Sequence, residues 1–319
     1  MRLPKSLRYA LYGIWIVIVP VKQVFADDVT VLLDWFVNPD HAPLIVAQQQ
    51  GFFEQANLKV TLVEPADPSL PPKLAAAKQA DLAVTYQPSL MVDLNNDLPL
   101  MRVGTLVGSP LNSLVVLAES DIKQIGDLKG KTIGFSVGGF EDALLGVMLE
   151  KHGLTLDDIE LVNVNFALSP SLYARKVDAV IGAFRNFELN QMDIDGRPGR
   201  AFFPENHGVP HYEELILVAH PDFAKQNKIE RFLNVVDQTT AWIAQHPNEA
   251  YQSFVSYRPA DLDNELNRRA WGDTIPKLAQ KTRITDINAW NRFAQFMVDQ
   301  GLIKTVPDTT TYLFQPEIE

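Results

Sequence analysis

The residues best suited to chemistry lie in one short stretch, Leu33-Asp34-Trp35-Phe36-Val37-Asn38-Pro39-Asp40-His41-Ala42-Pro43. It brings together a carboxylate, an indole, an amide and an imidazole, the set of groups that grips a small polar ring by hydrogen bonds and stacking. The stretch follows an apolar run and precedes a helix-like segment that ends at Gly51-Phe52-Phe53. A loop that leaves a strand and opens a helix sits at the carboxyl edge of a sheet, where open α/β folds hold their ligands. The loop therefore predicts a pocket.

The elements that must position it alternate short β-rich runs with longer amphipathic ones, the pattern of an α/β fold with largely parallel sheets. Strands are predicted at Val29–Asp34, Leu58–Val63 and Asp81–Thr85, the last ending in a second loop, Tyr86-Gln87-Pro88-Ser89. A further βα series follows: strand Thr132–Phe135, a turn at Gly138-Gly139, a helix from about Glu141 to His152, and strands Glu160–Asn165 and Asp178–Gly182. Gly134, Gly138 and Gly139 fit neither the dinucleotide nor the P-loop spacing and read as a tight strand-to-helix turn, with backbone N–H groups offered to the anion of a phosphorylated ligand as the alternative. Two apolar β segments, Ser113–Ala118 and Glu213–Ala219, bracket this middle unit and read as crossovers between two lobes; after them the chain turns helical. The expected organisation is one discontinuous lobe from 27–117 and 214–319, and a second from 118–213.

Arg2, Lys5 and Arg8, the apolar run Leu11–Val19 and the small-residue site Val24-Phe25-Ala26 read as a signal peptide cleaved near Ala26. Export to the periplasm follows, and no later stretch approaches the roughly 20 apolar residues of a membrane helix. The chain has no cysteine, so disulfides, thiolate metal sites and cysteine nucleophiles are excluded together. A net charge of −11 argues against nucleic acid or an anionic membrane as partner. His207 and His211 have Gly208 and Pro210 between them, which is not helical metal-ligand spacing, and no calcium loop or nucleophile elbow occurs. No metal and no cofactor is expected.

The loop Leu33 to His41, Gly51-Phe52-Phe53, Asp127-Leu128-Lys129-Gly130-Lys131-Thr132-Ile133-Gly134, Val177-Asp178-Ala179-Val180-Ile181-Gly182-Ala183 and Gly208-Val209-Pro210-His211-Tyr212-Glu213-Glu214-Leu215 together resemble the family of thiamine-pyrimidine precursor proteins. The resemblance runs from about Val29 to Phe223. It implies a type II periplasmic binding protein fold: two α/β lobes joined by a hinge, with a pyrimidine clamped in the cleft between them. The family includes binding proteins that deliver formylaminopyrimidine-type or hydroxymethylpyrimidine precursors to the membrane permease subunits of ABC importers. It also includes a pyrimidine synthase that uses pyridoxal phosphate on a lysine, with a nearby histidine and a cysteine-rich segment. This chain has Thr85 and Ser89 at the matching lysine and histidine positions, and Val209 to Glu213 where the cysteines would fall. A Schiff base needs a primary amine, so the implied role is binding by a monomer rather than catalysis.

An aminopyrimidine offers two flat faces, ring nitrogens and an exocyclic amine. A carboxylate can take the amine and ring protons in paired, charge-assisted bonds. Glu188 is the first choice, since similar binding proteins carry a glutamate there. Trp35, Tyr86, Phe187 and Tyr212 are candidates to stack on the ring. Asp34 and Asn38 can orient a polar arm or fix their own loop by Asx-type bonds. His41 can donate to the ligand or cap the following helix.

Overall fold

The computed structural model describes residues 26–314, so the leader expected at 1–26 lies outside the described residues apart from Ala26. In chain order the strands are β1 (Asp27–Leu32), β2 (Leu58–Val63), β3 (Leu82–Thr85), β4 (Met101–Val107), β5 (Asn112–Leu117), β6 (Thr132–Phe135), β7 (Glu160–Asn163), β8 (Ala179–Phe184), β9 (Gly199–Phe202) and β10 (Leu215–Ala219). They form two five-stranded sheets, ordered β2-β1-β3-β10-β4 and β7-β6-β8-β5-β9. The two orders repeat one design. Three parallel strands carry the βα units, and the strand arriving from the other sheet enters antiparallel beside them. Each sheet is therefore mixed, where largely parallel sheets were predicted.

One predicted boundary moves. Asn112–Leu117, expected in the first lobe, pairs with β8 and β9 in the second sheet. The first crossing is thus at 108–111, before the apolar strand rather than after it. All six residues of β5 are buried, with Leu114 and Val116 on one face of the sheet and Val115 and Leu117 on the other. A strand apolar on both faces carries no mark of which sheet it enters. Strand β4 was not predicted at all; it too is buried throughout and lacks alternation.

The second crossing runs through 203–214 and is tied to the first. Glu214, fully buried, accepts the backbone N–H groups of Leu111 (2.5 Å) and Asn112 (2.9 Å). Burial pushes its carboxyl up to about 7. Its neighbour Glu213 accepts from Trp290 Nε1 at 3.0 Å and from Thr285, and it faces the buried Arg102 at 3.4 Å. The C-terminal helices are thereby anchored on the crossing segment.

The helix Ala42–Gln49 buries Ala42 to Ala47, packs against the helix Asn227–Gln245, and ends before Gly51 in the left-handed region (φ +68°). The main core fills the first lobe and continues into Val137, Phe140, Leu144 and Val147 of the second. Among the described residues no helix is long and apolar enough to cross a membrane.

Candidate functional site

Loops at the carboxyl ends of β1 and β3 meet loops that follow β6, β7 and β8, and a narrow cavity lies between the two sheets. Asp34, Trp35, Asn38 and Tyr86 line it from the first sheet; Glu141, Leu168, Gly182, Phe184, Phe187 and Glu188 line it from the second.

The first wall is built by a chain of local bonds. Asn38 precedes a proline and is held extended (φ −147°, ψ 177°). Its Oδ1 accepts from Asp40 N at 2.8 Å, and its Nδ2 donates to Phe36 O at 3.1 Å. Asn38 N donates to His41 Nδ1 at 3.3 Å, so His41 carries its proton on Nε2 and donates to Asp34 Oδ1 at 2.9 Å. Tyr86 Oη donates to the other Asp34 oxygen, also at 2.9 Å. Asp34 is therefore a brace joining the β1 loop to the β3 loop. Tyr86 stacks on Phe140 (5.1 Å, 20°) and meets Phe184 edge-on at 6.4 Å.

The second wall uses one device twice. Phe140-Glu141 and Phe187-Glu188 each open a helix, Glu141–Glu150 and Glu188–Ile194, with nearly the same backbone at the phenylalanine (φ −118°, ψ −59° and φ −119°, ψ −67°). Each glutamate turns back to its strand end. Glu188 Oε2 accepts Phe184 N–H at 2.7 Å; Glu141 Oε2 accepts Ser136 N–H at 2.7 Å and Val137 N–H at 3.1 Å. Burial raises both carboxyls, Glu188 to about 7 and Glu141 to about 8, against those backbone bonds. Gly182 makes room for Glu141: its φ is +102°, and a Cβ there would lie 2.3 Å from Glu141 Oε1.

Of the residues singled out from sequence, Asp34, Trp35, Asn38, Tyr86, Phe187 and Glu188 meet at this cavity. His41 does not line it: fully buried behind Asp34, it orients that carboxylate. Tyr212 does not line it either; it packs on Phe293 (5.6 Å) in the first-lobe core, where the second crossing draws it inward. Trp35 lines the cavity and also meets Phe166 of the opposite lobe edge-on at 4.7 Å. Sequence reasoning missed Leu168, Gly182, Phe184 and, among the carboxyl groups, Glu141. The repeated Phe-Glu pair at two helix starts was the signal available for it.

A second cavity is lined by residues next in sequence to Tyr86 and Glu141 of the first. Thr85, Ser89, Lys73, Asp93, Gly138 and Gly139 are among its lining. Thr85 and Ser89 thus share a space with one primary amine, Lys73, which opposes the rise that burial imposes on Asp93, to about 6. Among the described residues no group of three or more His, Asp or Glu side chains is set to hold a metal ion.

Comparison with known proteins decides the family. The family model described as NMT1/THI5 like matches residues 38–250, well over half of the chain. The chain belongs to the NMT1/THI5-like family. It is similar to members of different kinds. A protein of Haemophilus influenzae named for thiamine biosynthesis is 56% identical over 87% of this chain and 88% of its own length. A formylaminopyrimidine-binding protein of Halalkalibacterium halodurans is 32% identical over 70% of this chain and 68% of its own. A 4-amino-5-hydroxymethyl-2-methylpyrimidine phosphate synthase of Legionella pneumophila is 26% identical over 84% and 85%. Among solved structures, the periplasmic aliphatic sulphonate binding protein of Escherichia coli superposes with a TM-score of 0.68 at 15% identity, covering 91% of this chain and 92% of that one. An alkanesulfonate-binding protein of Xanthomonas axonopodis gives 0.69 at 17%, covering 91% and 97%. This NMT1/THI5-like chain has the periplasmic binding protein fold.

Proposed function

We propose that the protein is the periplasmic solute-binding component of an ABC-type importer, and that its ligand is a thiamine-precursor aminopyrimidine of the formylaminopyrimidine class. The observation that carries this reading is the composition of the cavity wall: three carboxyl groups (Asp34, Glu141, Glu188), four aromatic side chains (Trp35, Tyr86, Phe184, Phe187) and no lysine, arginine or histidine. Such a wall needs a flat ligand rich in hydrogen-bond donors. An anion such as a sulfonate would face carboxyl groups with no cation to offset them.

The raised carboxyls suit the ring. At neutral pH Glu141 is largely protonated, since burial holds it at about 8. Its Oε2 already accepts the Ser136 and Val137 N–H groups, so the proton sits on Oε1 and can be donated to a ring nitrogen. Glu188, at about 7, supplies an acceptor for the exocyclic amine on the same lobe. Trp35 and Tyr86 come from the opposite lobe, so both halves of the site form only when the lobes meet, as hinge closure around a solute requires. In this account no bond is made or broken. The closed protein presents its surface to the importer's membrane subunits, acting as a monomer after export and removal of the leader.

The test is a titration of the purified protein with formylaminopyrimidine and, separately, with an alkanesulfonate. Formylaminopyrimidine at 100 times its Kd is expected to stabilise the protein by about 2.7 kcal/mol, without turnover; the sulfonate is expected to leave the melting temperature unchanged. The opposite pattern refutes the proposal. Above pH 7, where Glu188 is ionised, Glu188→Gln turns a charge-assisted acceptor into a neutral one, and the affinity for formylaminopyrimidine at pH 8 is expected to fall by about 10- to 100-fold, at about 1.5–3 kcal/mol for a bond to a charged group. Isothermal calorimetry reads this directly, and an unchanged Kd would remove Glu188 from the site.

The synthase reading keeps one specific support, the Lys73 amine in the cavity that also holds Thr85 and Ser89. If the chain only binds, pyridoxal phosphate produces no new visible absorbance with it, and Lys73→Ala changes nothing in that spectrum.

A further inference from the structure

Asn186 stands in the turn that leaves β8, two residues before Glu188. Its side chain reaches into the other lobe. Nδ2 donates to Asp40 Oδ1 at 2.7 Å and to Thr274 Oγ1 at 2.7 Å, and Thr274 Oγ1 donates to the same Asp40 oxygen at 3.1 Å. The three side chains thus form a closed triangle that joins the β1 loop, the C-terminal end of the helix Glu265–Thr274 and the β8 loop. All of it is excluded from water: Asp40 and Asn186 are 1% exposed and Thr274 is 0%. One turn along, Asn190 Nδ2 donates to Asp273 Oδ2 at 2.8 Å, so the helices Glu188–Ile194 and Glu265–Thr274 are joined at a second point.

This contact is placed to report closure. Asp40 is one bond from the cavity wall, because its backbone N–H is held by Asn38. Asn186 is followed directly by Phe187 and Glu188, both of which line the cavity. With the lobes apart, Asp40 would regain water and Asn186 would lose both acceptors. With the lobes together, the carboxyl keeps these neutral donors on Oδ1 alone, Asp40 Oδ2 and Asn186 Oδ1 being buried without a partner, and burial drives it up to about 6. A charged or polar group so deeply buried is stable only while its partners stay in place.

We propose that Asp40, Asn186 and Thr274 form the latch of the closed state, as positioning residues that set how long the ligand stays trapped. The latch rests on the solute-binding reading above and extends it from what is bound to how it is released. Specificity belongs to the cavity wall; residence time belongs to the latch.

The absence of cysteine allows a clean measurement. Gln55→Cys on the first lobe and Lys176→Cys on the second, both at exposed positions, carry a pair of spin labels whose separation follows lobe closure. In this background Asn186→Ala is expected to lower the closed-to-open ratio about tenfold. It should speed dissociation of formylaminopyrimidine by about the same factor, with the association rate within about threefold of the parent. Thr274→Val, which removes one hydroxyl while keeping the shape, should change both in the same direction by a smaller factor, and it serves alone if Asn186→Ala fails to fold. Parental closure and dissociation in a folded variant overturn the latch and leave the ligand reading intact. If the parent does not bind formylaminopyrimidine, the ligand reading fails separately; the latch is then judged on the ligand-free distance distributions, where equal closed fractions in parent and variant overturn it.

Discussion

Asp34→Ala is expected to lower the stability of the ligand-free protein by about 3 kcal/mol and to abolish ligand binding. The carboxylate accepts from His41 Nε2 and from Tyr86 Oη, both at 2.9 Å, and all three groups are buried. Removing it leaves an imidazole N–H and a phenol O–H without acceptors in a dry site. Each orphaned donor costs about 1–3 kcal/mol, and the β1 and β3 loops lose the brace between them. The melting temperature should fall by about 5–10 °C for a chain of this size. Asp34→Asn keeps an acceptor for His41 and should recover more than half of the loss. A fall below about 2 °C in Asp34→Ala would show that the brace contributes little.

The second large effect is a dependence of stability on pH that runs opposite to ordinary acid denaturation. Glu141 has an ordinary value of 4.5 and is raised to about 8 by burial in the folded protein. Below pH 4.5 it is neutral folded and unfolded, and its contribution is fully present. As the pH rises toward 8 the unfolded chain ionises first, so this stability is lost through the folded value. Glu188 and Glu214, each raised to about 7, act in the same direction over a narrower window. The ligand-free protein is therefore expected to be less stable at pH 8 than at pH 5.5. Glu141→Gln keeps an oxygen for the Ser136 and Val137 N–H groups and removes the titration. It should gain about 3 kcal/mol over the parent at pH 8 and little at pH 5. Urea unfolding at the two pH values measures this; equal pH slopes in parent and variant would show that the Glu141 carboxyl is not held neutral by burial.

What sequence pattern conveys well here is local. The Asn38-Pro39 step, the glycine that ends the helix Ala42–Gln49 and the double glycine before Glu141 each act within a few residues, so the loops around the cavity were legible, and with them Asp34, Trp35, Asn38, Tyr86, Phe187 and Glu188 as residues that line it. The roles of His41 and Tyr212 were not. An imidazole beside a ligand loop and one that orients a carboxylate behind it have the same neighbours in sequence. Tyr212 lies in a conspicuous motif, yet it turns toward Phe293, about 80 residues later. Strands β4 and β5, buried on both faces, give no period by which to assign them to a sheet.

The chain alone thus determined the βα alternation, the family resemblance and the chemical inventory of one jaw, because these rest on short-range pattern and residue type. The tertiary structure decided the rest: that Glu141 stands beside Glu188 in one cavity, that Gly182 makes room for it, that Asp34 is shared by His41 and Tyr86, and that Asn186 closes on Asp40 and Thr274. These pairings join residues from 7 to 146 positions apart. Those within a lobe depend on the order of strands in its sheet, and the Asn186 contacts depend on the meeting of the two lobes; composition, periodicity and capping encode neither.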